Sequence, residues 1–287
     1  MSPSSGVPIA GVAGWPVAHS RSPIIHKYWL ERLGVAGGYE RFAVEPGAFA
    51  QFAAGIGHDD LVGSNVTVPH KEAAFAACDR RTAVAETLGA VNTLWREGSL
   101  LWGDNTDVEG FLANMDEGAP GWSGANRAAV VVGAGGAARA VVHALASRGF
   151  GRIAIINRTP TRADALAAQF GGAATASAWT ELAAELRGAD LLVNASSLGM
   201  QGQPPLEIDL DLLPDHAVVS DIVYVPLRTP LLEAARARGL RAVGGLGMLL
   251  HQAVPSFERW FGRRPEVTLE LRALVEADVL RAYEGKR

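Results

Sequence analysis

The first hundred residues alternate short apolar, β-branched runs with stretches in which apolar side chains recur every three or four positions. The apolar runs predict strands over 9–14, 39–44 and 61–68. The helical periodicity between them predicts helices over 22–34 and 48–56, and a third that starts near Pro69. Strands that alternate with helices are typical of α/β folds, in which crossovers join parallel strands.

Residues 90–106 depart from this alternation. Two strand-like runs are joined there by a short turn at 97–99, which predicts an antiparallel hairpin. After Asp107 a helical pattern leads to the loop GAPGWSGANR at 118–127, whose Gly and Pro content marks a domain boundary. We therefore expect two domains, the first with strands that are not all parallel.

From residue 128 onward strands and helices alternate without interruption. The predicted strands are AAVVV, RIAII, DLLVNAS, AVVSDIVY and RAVGG. The predicted helices cover 137–147, 162–170, 248–261 and 267–283. This order predicts a doubly wound parallel sheet, followed by two helices that close the chain.

Composition narrows the class of protein. The 287 residues are 48% hydrophobic and 20% charged, with a net charge of −4. Because the charges are scattered, neither a nucleic acid nor a membrane surface is expected as a partner, and small-molecule chemistry is favoured. A single cysteine, Cys78, excludes an intramolecular disulfide and a cysteine-cluster metal site. Together with an N-terminus that lacks a secretory pattern, this predicts a cytoplasmic protein.

A glycine loop carries the first chemical signal. VVVGAGGAARA places Gly133, Gly135 and Ala138 in a G-x-G-x-x-A pattern, directly after a strand and at the start of a helix. Gly133 permits the tight turn, Gly135 lets a pyrophosphate approach the backbone, and Ala138 permits close packing of helix on strand. A glycine-rich structural turn is the alternative. We expect a Rossmann domain over 108–246, in which the nucleotide contacts Gly133, Ala134, Gly135, Gly136 and Ala137.

The end of the next strand distinguishes between the two dinucleotides. NAD-binding folds usually place Asp or Glu there, to bind the ribose 2′-hydroxyl. This chain instead has Asn157, Arg158 and Thr159, with Arg162 close behind. A guanidinium group suits a 2′-phosphate, so these four residues predict NADP rather than NAD. The alternative is that the arginines are merely solvated.

Five polar motifs lie at predicted strand ends of the first domain or in the last helical segment. They are HSRSP (19–23), NVTVPHK (65–71), AVNT (90–93), GDNTD (103–107) and GMLLHQA (247–253). Ligands of open α/β sheets gather at the carboxyl ends of strands, so we expect these motifs to line one cleft that faces the nucleotide domain.

In this order around GAGGAARA, the motifs resemble those of the shikimate dehydrogenase family. The resemblance covers nearly the whole chain. It includes NRT (157–159), NASSLGM (194–200), DIVYVPLRTPLL (221–232) and GGLGMLLHQA (244–253). It implies a substrate domain formed by 1–107 and the C-terminal helices 247–287.

The resemblance also implies substrate contacts. The family's S-x-S motif falls on Ser20 and Ser22, which would hold the substrate carboxylate, although Ser22 could instead cap the following helix. The family contacts the ring hydroxyls at positions that match Thr67, Asn92 and Gln252. Tyr224 also matches a position near the substrate.

Lys71 and Asp107 match the family's catalytic pair. Oxidation of a secondary alcohol needs a group that takes the hydroxyl proton while hydride leaves carbon. We expect Lys71 to relay this proton and Asp107 to position Lys71; without the other motifs, a surface ion pair would be the alternative. His70 is expected to be a cleft-wall residue. The seven histidines show no metal-ligand spacing, and no metal is expected.

Further cofactor contacts follow from the resemblance alone. Ala195 and Ser196 would touch the nucleotide, and Ile222, Gly245 and Met248 would lie near the nicotinamide. Met248 could equally be a core residue.

The activity implied is reversible reduction of 3-dehydroshikimate to shikimate by NADPH, in chorismate and aromatic amino-acid biosynthesis, by a monomer or homodimer. One alternative is an NAD-dependent quinate/shikimate dehydrogenase. Others are a catalytically silent redox sensor and a folate-type dehydrogenase.

Overall fold

A computed structural model of the protein describes residues 6 to 284. The chain divides into two compact units. The first comprises Met1–Asp107 and Gln252–Val275, and the second comprises Val108–His251 and Glu276–Arg287. Which unit binds which ligand stays a prediction at this point.

The first unit is built on a six-stranded mixed sheet of order β2-β1-β3-β5-β6-β4. The strands are β1 Ile9–Gly14, β2 Gly38–Ala43, β3 Leu61–Val66, β4 Arg80–Arg81, β5 Thr93–Glu97 and β6 Leu100–Asp104. Strand β1 runs parallel to both β2 and β3, whereas β5 is antiparallel to β3 and β6. The predicted hairpin is β5–β6. The two-residue strand β4 was not predicted, because it is too short to show a period.

Helices of the first unit follow strand ends. They are α1 Ser22–Leu33, α2 Phe49–Ala54, α3 Lys71–Ala77 and α4 Ala83–Leu88. Helix α1 ends at Gly34, whose left-handed backbone lets its N–H bond back to the last turn. The helix predicted to start near Pro69 begins at Lys71 instead. Residues 67–70 form a turn, closed by the His70 N–H, which donates to the Thr67 carbonyl at 3.0 Å.

An aromatic group packs behind the sheet of the first unit. The imidazole of His26 is stacked on the ring of Tyr39, with centroids 3.9 Å apart, and it also contacts Trp29, Phe257 and Trp260. His26 and Tyr39 are both fully buried. Burial lowers the pKa of His26 to about 3, so this imidazole is neutral in the folded protein.

The second unit contains a six-stranded sheet of order β12-β11-β10-β7-β8-β9, in which all strand pairs are parallel. The strands are β7 Ala128–Val132, β8 Arg152–Ile156, β9 Ala174–Ser177, β10 Leu191–Asn194, β11 Val218–Asp221 and β12 Arg241–Gly244. The strand order reverses between β7 and β10, as in a doubly wound Rossmann sheet. The predicted α/β class, with a Rossmann-type sheet, is confirmed. Strand β9 was not predicted.

Seven further helices complete the chain. They are α5 Asp107–Gly118, α6 Gly136–Ser147, α7 Pro160–Phe170, α8 Leu182–Leu186, α9 Pro230–Ala237, α10 Leu246–Phe261 and α11 Leu269–Glu284. Helices α8 and α9 were not predicted, since five and eight residues show little periodicity. Buried aliphatic side chains of β7, β8, β10 and β11 form the core beneath the helices. Within residues 6–284, no helix combines the length and apolar character needed to cross a bilayer.

Candidate active site

Lys71 and Asp107 form an ion pair in the first unit. Lys71 is the first residue of α3 and Asp107 the first of α5. The Lys71 ammonium Nζ lies 2.5 Å from Oδ2 of Asp107, and their side chains are only 23% and 11% exposed. A pair that is three-quarters or more buried differs from a surface ion pair, which was the alternative, because little water competes for the charges.

A buried amide fixes the orientation of Asp107. Asn92, 3% exposed, donates through Nδ2 to Asp107 Oδ1 at 2.9 Å and to Thr106 Oγ1 at 3.1 Å. Its Oδ1 accepts from the Thr106 N–H at 2.9 Å and from the Thr93 hydroxyl at 3.0 Å. Exchanging the oxygen and the nitrogen of this amide would break hydrogen bonds on both sides. Asn92 therefore bonds to Oδ1 of Asp107 and leaves Oδ2 to face Lys71.

Ser20 and Ser22 are brought together by the loop after β1. Ser20 Oγ donates to Ser22 Oγ at 3.2 Å and accepts from the Ser22 N–H at 3.3 Å. The alternative that Ser22 caps α1 is wrong. Ser22 is the first helical residue, and Arg21 occupies the cap position without a capping bond from its own side chain. The two hydroxyls therefore form a separate polar pair.

A chain of buried hydrogen bonds connects Tyr39 with Asn92. The Tyr39 hydroxyl donates to Asn65 Oδ1 at 2.7 Å. Asn65 Nδ2 then donates to the Asn92 carbonyl and to the Thr93 hydroxyl, each at 3.2 Å. Sequence reasoning assigned no role to Tyr39 or Asn65. Asn65 lies within β3 as a buried polar residue. This break in the apolar pattern of the strand was the available signal.

Of the remaining predicted substrate residues, two lie in the first unit. Thr67 directly follows β3. Its methyl group lies so close to Gly14 that a Cβ added to Gly14 would be only 2.5 Å from it. Gln252 is half-buried in α10. Tyr224 lies in the second unit, three residues after β11. Lys71 and Asp107 are predicted to contact the substrate as well, so seven of the eight predicted substrate residues belong to one unit.

His70 is not a cleft-wall residue. It is 1% exposed, its ring stacks on Phe49 at 4.8 Å, and its Nε2 lies 2.7 Å from the Val44 carbonyl. These contacts place His70 in the core, where it anchors the turn that precedes Lys71.

The glycine loop of the second unit fits a dinucleotide. Gly133 has φ +119°, and an added Cβ would lie 2.7 Å from the Ala195 carbonyl oxygen, so a side chain is excluded there. Gly135 and Gly136 are exposed, and an added Cβ at either would meet no atom within 4 Å. This open space, beside the N-terminus of the twelve-residue helix α6, suits a pyrophosphate. Ala134 and Ala137 complete the loop.

Every predicted cofactor residue after this loop lies at or near a strand end or helix start. Asn157 follows β8, and its Nδ2 donates to the Thr159 carbonyl at 2.9 Å. Arg158 and Arg162 are exposed, and neither pairs with a carboxylate among the described residues. The absence of a carboxylate directly after β8 fits a phosphorylated ribose.

A buried carboxylate joins the ends of β10 and β11. Asp221 accepts from the Thr229 hydroxyl at 2.6 Å and from Asn194 Nδ2 at 2.9 Å, and Asn194 Oδ1 in turn accepts from Ser196 Oγ at 2.7 Å. Burial raises the pKa of Asp221, and these hydrogen bonds oppose the rise. The network fixes Ala195 and Ser196 against Gly133. Asp221, Asn194 and Thr229 had no predicted role.

The residues predicted to lie near the nicotinamide adjoin one another. An added Cβ at Gly245 would lie 2.1 Å from the Ile222 carbonyl oxygen, so only glycine permits this approach. Met248 is 8% exposed, in the first turn of α10. This low exposure fits both predicted roles, as a core residue and as a contact of the nicotinamide.

Three models of known protein families match successive parts of this chain. Residues 12–94 match the shikimate dehydrogenase substrate binding domain. Residues 120–200 match the shikimate / quinate 5-dehydrogenase family, and 245–274 match the shikimate 5′-dehydrogenase C-terminal domain. A shikimate dehydrogenase (NADP(+)) from Methylocella silvestris is 58% identical over 279 residues, which is 97% of this chain and 99% of the relative.

This chain belongs to the shikimate dehydrogenase family.

Other members of the shikimate dehydrogenase family confirm the extent of the likeness. A Rhodopseudomonas palustris shikimate dehydrogenase (NADP(+)) is 57% identical over 94% of this chain and 96% of its own length. The Thermus thermophilus enzyme in complex with NADP(H) and shikimate has a TM-score of 0.83 at 37% identity, covering 96% of this chain and 99% of that one. A Corynebacterium glutamicum quinate dehydrogenase in complex with NAD has a TM-score of 0.85 at 31% identity, with coverages of 94% and 99%. The higher identity to relatives named for NADP(+) does not favour the NAD alternative.

Proposed function

We propose that this protein is an NADP-dependent shikimate dehydrogenase, which reversibly reduces 3-dehydroshikimate to shikimate in the route to chorismate and the aromatic amino acids. The observation that carries the proposal is the largely buried Lys71–Asp107 pair, oriented by Asn92, in a chain that belongs to this family. Relatives named for NADP(+), and a solved relative that holds NADP(H) with shikimate, support the cofactor and the substrate.

Proton transfer is the task of Lys71. When bound, NADPH supplies the hydride for the carbonyl carbon, so a proton must reach the oxygen. In reduction the Lys71 ammonium donates this proton, and in oxidation the neutral Lys71 amine takes it back. Asp107 holds the ammonium at 2.5 Å and offsets its charge, because Lys71 stands at a helix N-terminus, where a cation is disfavoured.

Substrate orientation falls to the neutral polar groups of the first unit. We propose that Ser20 and Ser22 donate to the carboxylate, and that Thr67, Asn92 and Gln252 face the ring hydroxyls. Tyr224 contributes from the second unit. The NH₂ group of Asn92 already donates to Thr106 and Asp107, so the main role of Asn92 is to hold Asp107 in place.

The second unit is proposed to bind NADP. The loop from Gly133 to Ala137 receives the pyrophosphate, while Asn157, Arg158, Thr159 and Arg162 contact the adenosine ribose phosphate. The remaining contacts are Ala195, Ser196, Ile222, Gly245 and Met248.

An absorbance assay of reduced nicotinamide tests the activity, with shikimate or quinate paired with NADP or NAD. Shikimate with NADP is expected to give the highest kcat/KM. Lys71→Met should lower kcat by roughly 100-fold or more, since a positioned acid–base group contributes about 10²–10⁴-fold. Lys27→Met is the matched control, because Lys27 forms an exposed ion pair with Glu40 at 3.4 Å in the same unit.

Two results would contradict the proposal. The first is faster turnover of quinate with NAD than of shikimate with NADP. The second is wild-type turnover by the Lys71→Met variant, which would show that Lys71 does not transfer the proton. We further propose a cytoplasmic location and a monomeric or homodimeric state, which light scattering can check against the chain mass of 30.1 kDa.

A further inference from the structure

Strand β2 supports the loop that carries Ser20 and Ser22. It is one of the two edge strands of the sheet in the first unit and pairs in parallel with β1, which leads into this loop. Tyr39 and Arg41 are two residues apart on β2, so both side chains stand on the same face of the sheet.

Arg41 holds the loop at Ser20. It donates to the Ser20 carbonyl through Nε at 3.2 Å and through Nη2 at 2.7 Å. The double contact of the guanidinium with one carbonyl fixes a positive charge beside the serine pair.

The charge of Arg41 lies close to the serine pair. Its guanidinium bonds to the carbonyl of Ser20, whose hydroxyl lies 3.2 Å from that of Ser22. Burial raises the pKa of Tyr39, and the nearby charge of Arg41 opposes that rise. Arg21, between the serines, donates to the His19 carbonyl at 2.8 Å and adds a second positive charge to the same loop.

We propose that Arg41 determines specificity for a carboxylated substrate, because it supplies a positive charge to an anion site whose direct donors are two neutral hydroxyls. This rests on the proposed function, in which Ser20 and Ser22 bind the shikimate carboxylate. Arg41 acts through the serine loop and is a positioning residue for the reaction itself.

Three variants separate charge from mechanical support. Arg41→Gln keeps a donor and removes the charge, while Arg41→Lys keeps the charge. Arg96→Gln is the control, because Arg96 also donates to backbone carbonyls of this unit, at Ile56 and Ser99, but lies three residues beyond Thr93 toward the hairpin turn. The calorimetric Kd and the KM for shikimate, kcat, and the KM for NADP are measured at low salt and at about 0.5 M NaCl, where the Debye length is about 4 Å.

Arg41→Gln should raise the Kd and KM for shikimate about fivefold at low salt, the size expected for charges several ångströms apart beside solvent. The KM for NADP and kcat should stay within about twofold. Arg41→Lys and Arg96→Gln should behave like the wild type. High salt should raise the wild-type Kd toward the Arg41→Gln value and leave that variant's Kd nearly constant.

Two outcomes overturn the proposal. One is an unchanged Kd for shikimate in Arg41→Gln. The other is an equal loss in Arg41→Gln and Arg41→Lys with wild-type salt dependence, which would mean that Arg41 only braces the loop. The proposed activity and this inference can fail separately. If the Arg41 variants change the Kd for shikimate as expected but the wild-type protein forms no NADPH, the inference stands and the proposed activity is refuted.

Discussion

Replacing Asp107 by Asn would bring two hydrogen-bond donors face to face, because both carboxylate oxygens of Asp107 accept hydrogen bonds. In the wild type Oδ2 accepts from the Lys71 ammonium at 2.5 Å, and Oδ1 accepts from Asn92 Nδ2 at 2.9 Å. An amide of the same shape has one oxygen and one NH₂ group. Whichever way it turns, its NH₂ group meets a donor, either Lys71 or Asn92.

The conflict cannot be relieved by turning Asn92. Its Oδ1 accepts from the Thr106 N–H and the Thr93 hydroxyl, so a flip would only move the mismatch. At least one hydrogen bond to a charged group is lost, which costs about 1.5–3 kcal/mol. If that loss falls on the transition state, kcat drops about 10- to 100-fold, at roughly 1.4 kcal/mol for each factor of ten.

Steady-state kinetics in which shikimate and NADP are each varied measure this loss of kcat, with the KM for NADP as internal reference. A second variant combines Asn92→Asp with Asp107→Asn. The new carboxylate at position 92 accepts from the NH₂ group of the new amide at position 107, and the oxygen of that amide can then face Lys71. The pair should therefore recover part of the lost kcat, so the double-mutant cycle should show a favourable coupling. Wild-type kcat in the single variant, or no recovery in the double variant, would refute the account of Asp107 as an oriented partner of Lys71.

Three further predictions concern other parts of the chain. Arg158→Ala should raise the KM for NADP about tenfold or more and leave that for NAD nearly unchanged, because only NADP carries the 2′-phosphate; an unchanged NADP preference would refute that contact. Gly133→Ala should lower the melting temperature, since its Cβ would lie 2.7 Å from a backbone oxygen, whereas Gly135→Ala, with open space around it, should weaken NADP binding alone. Equal melting temperatures for the two would contradict this. Between pH 6.5 and about 3, His26 is protonated in the unfolded chain but stays neutral in the folded protein. The free energy of unfolding should therefore fall by about 1.4 kcal/mol for each unit by which the pH is lowered. Urea titrations of His26→Phe should show a weaker decline over that range, and an identical decline would refute the assignment.

The tests of the two units are independent of one another. Substitutions of Lys71, Asp107 and Arg41 alter the first unit, whereas those of Gly133 and Arg158 alter the second. Effects on the KM for shikimate and on the KM for NADP should therefore separate. A substitution in one unit that changed both would indicate a general loss of folding.

The sequence by itself determined the elements whose signals are local. Strand β7, Gly133 and α6 lie within twenty consecutive residues, so an apolar run, a tight turn and a helical period are all readable in one window. The lack of a carboxylate after β8 is equally local. Short elements such as β4 and α8 were missed for the opposite reason, because a few residues carry no period.

Only the tertiary structure decided which polar side chains meet. Asp107 lies 36 residues from Lys71, and Asn65 lies 26 from Tyr39, so their contacts depend on the order and register of strands β1, β2, β3 and β5. Alternation along one strand fixes the face of the sheet that a side chain occupies, but it does not identify the neighbouring strand. Burial is decided in the same way. His70, which the sequence placed on a cleft wall, is covered by Phe49 from a different element.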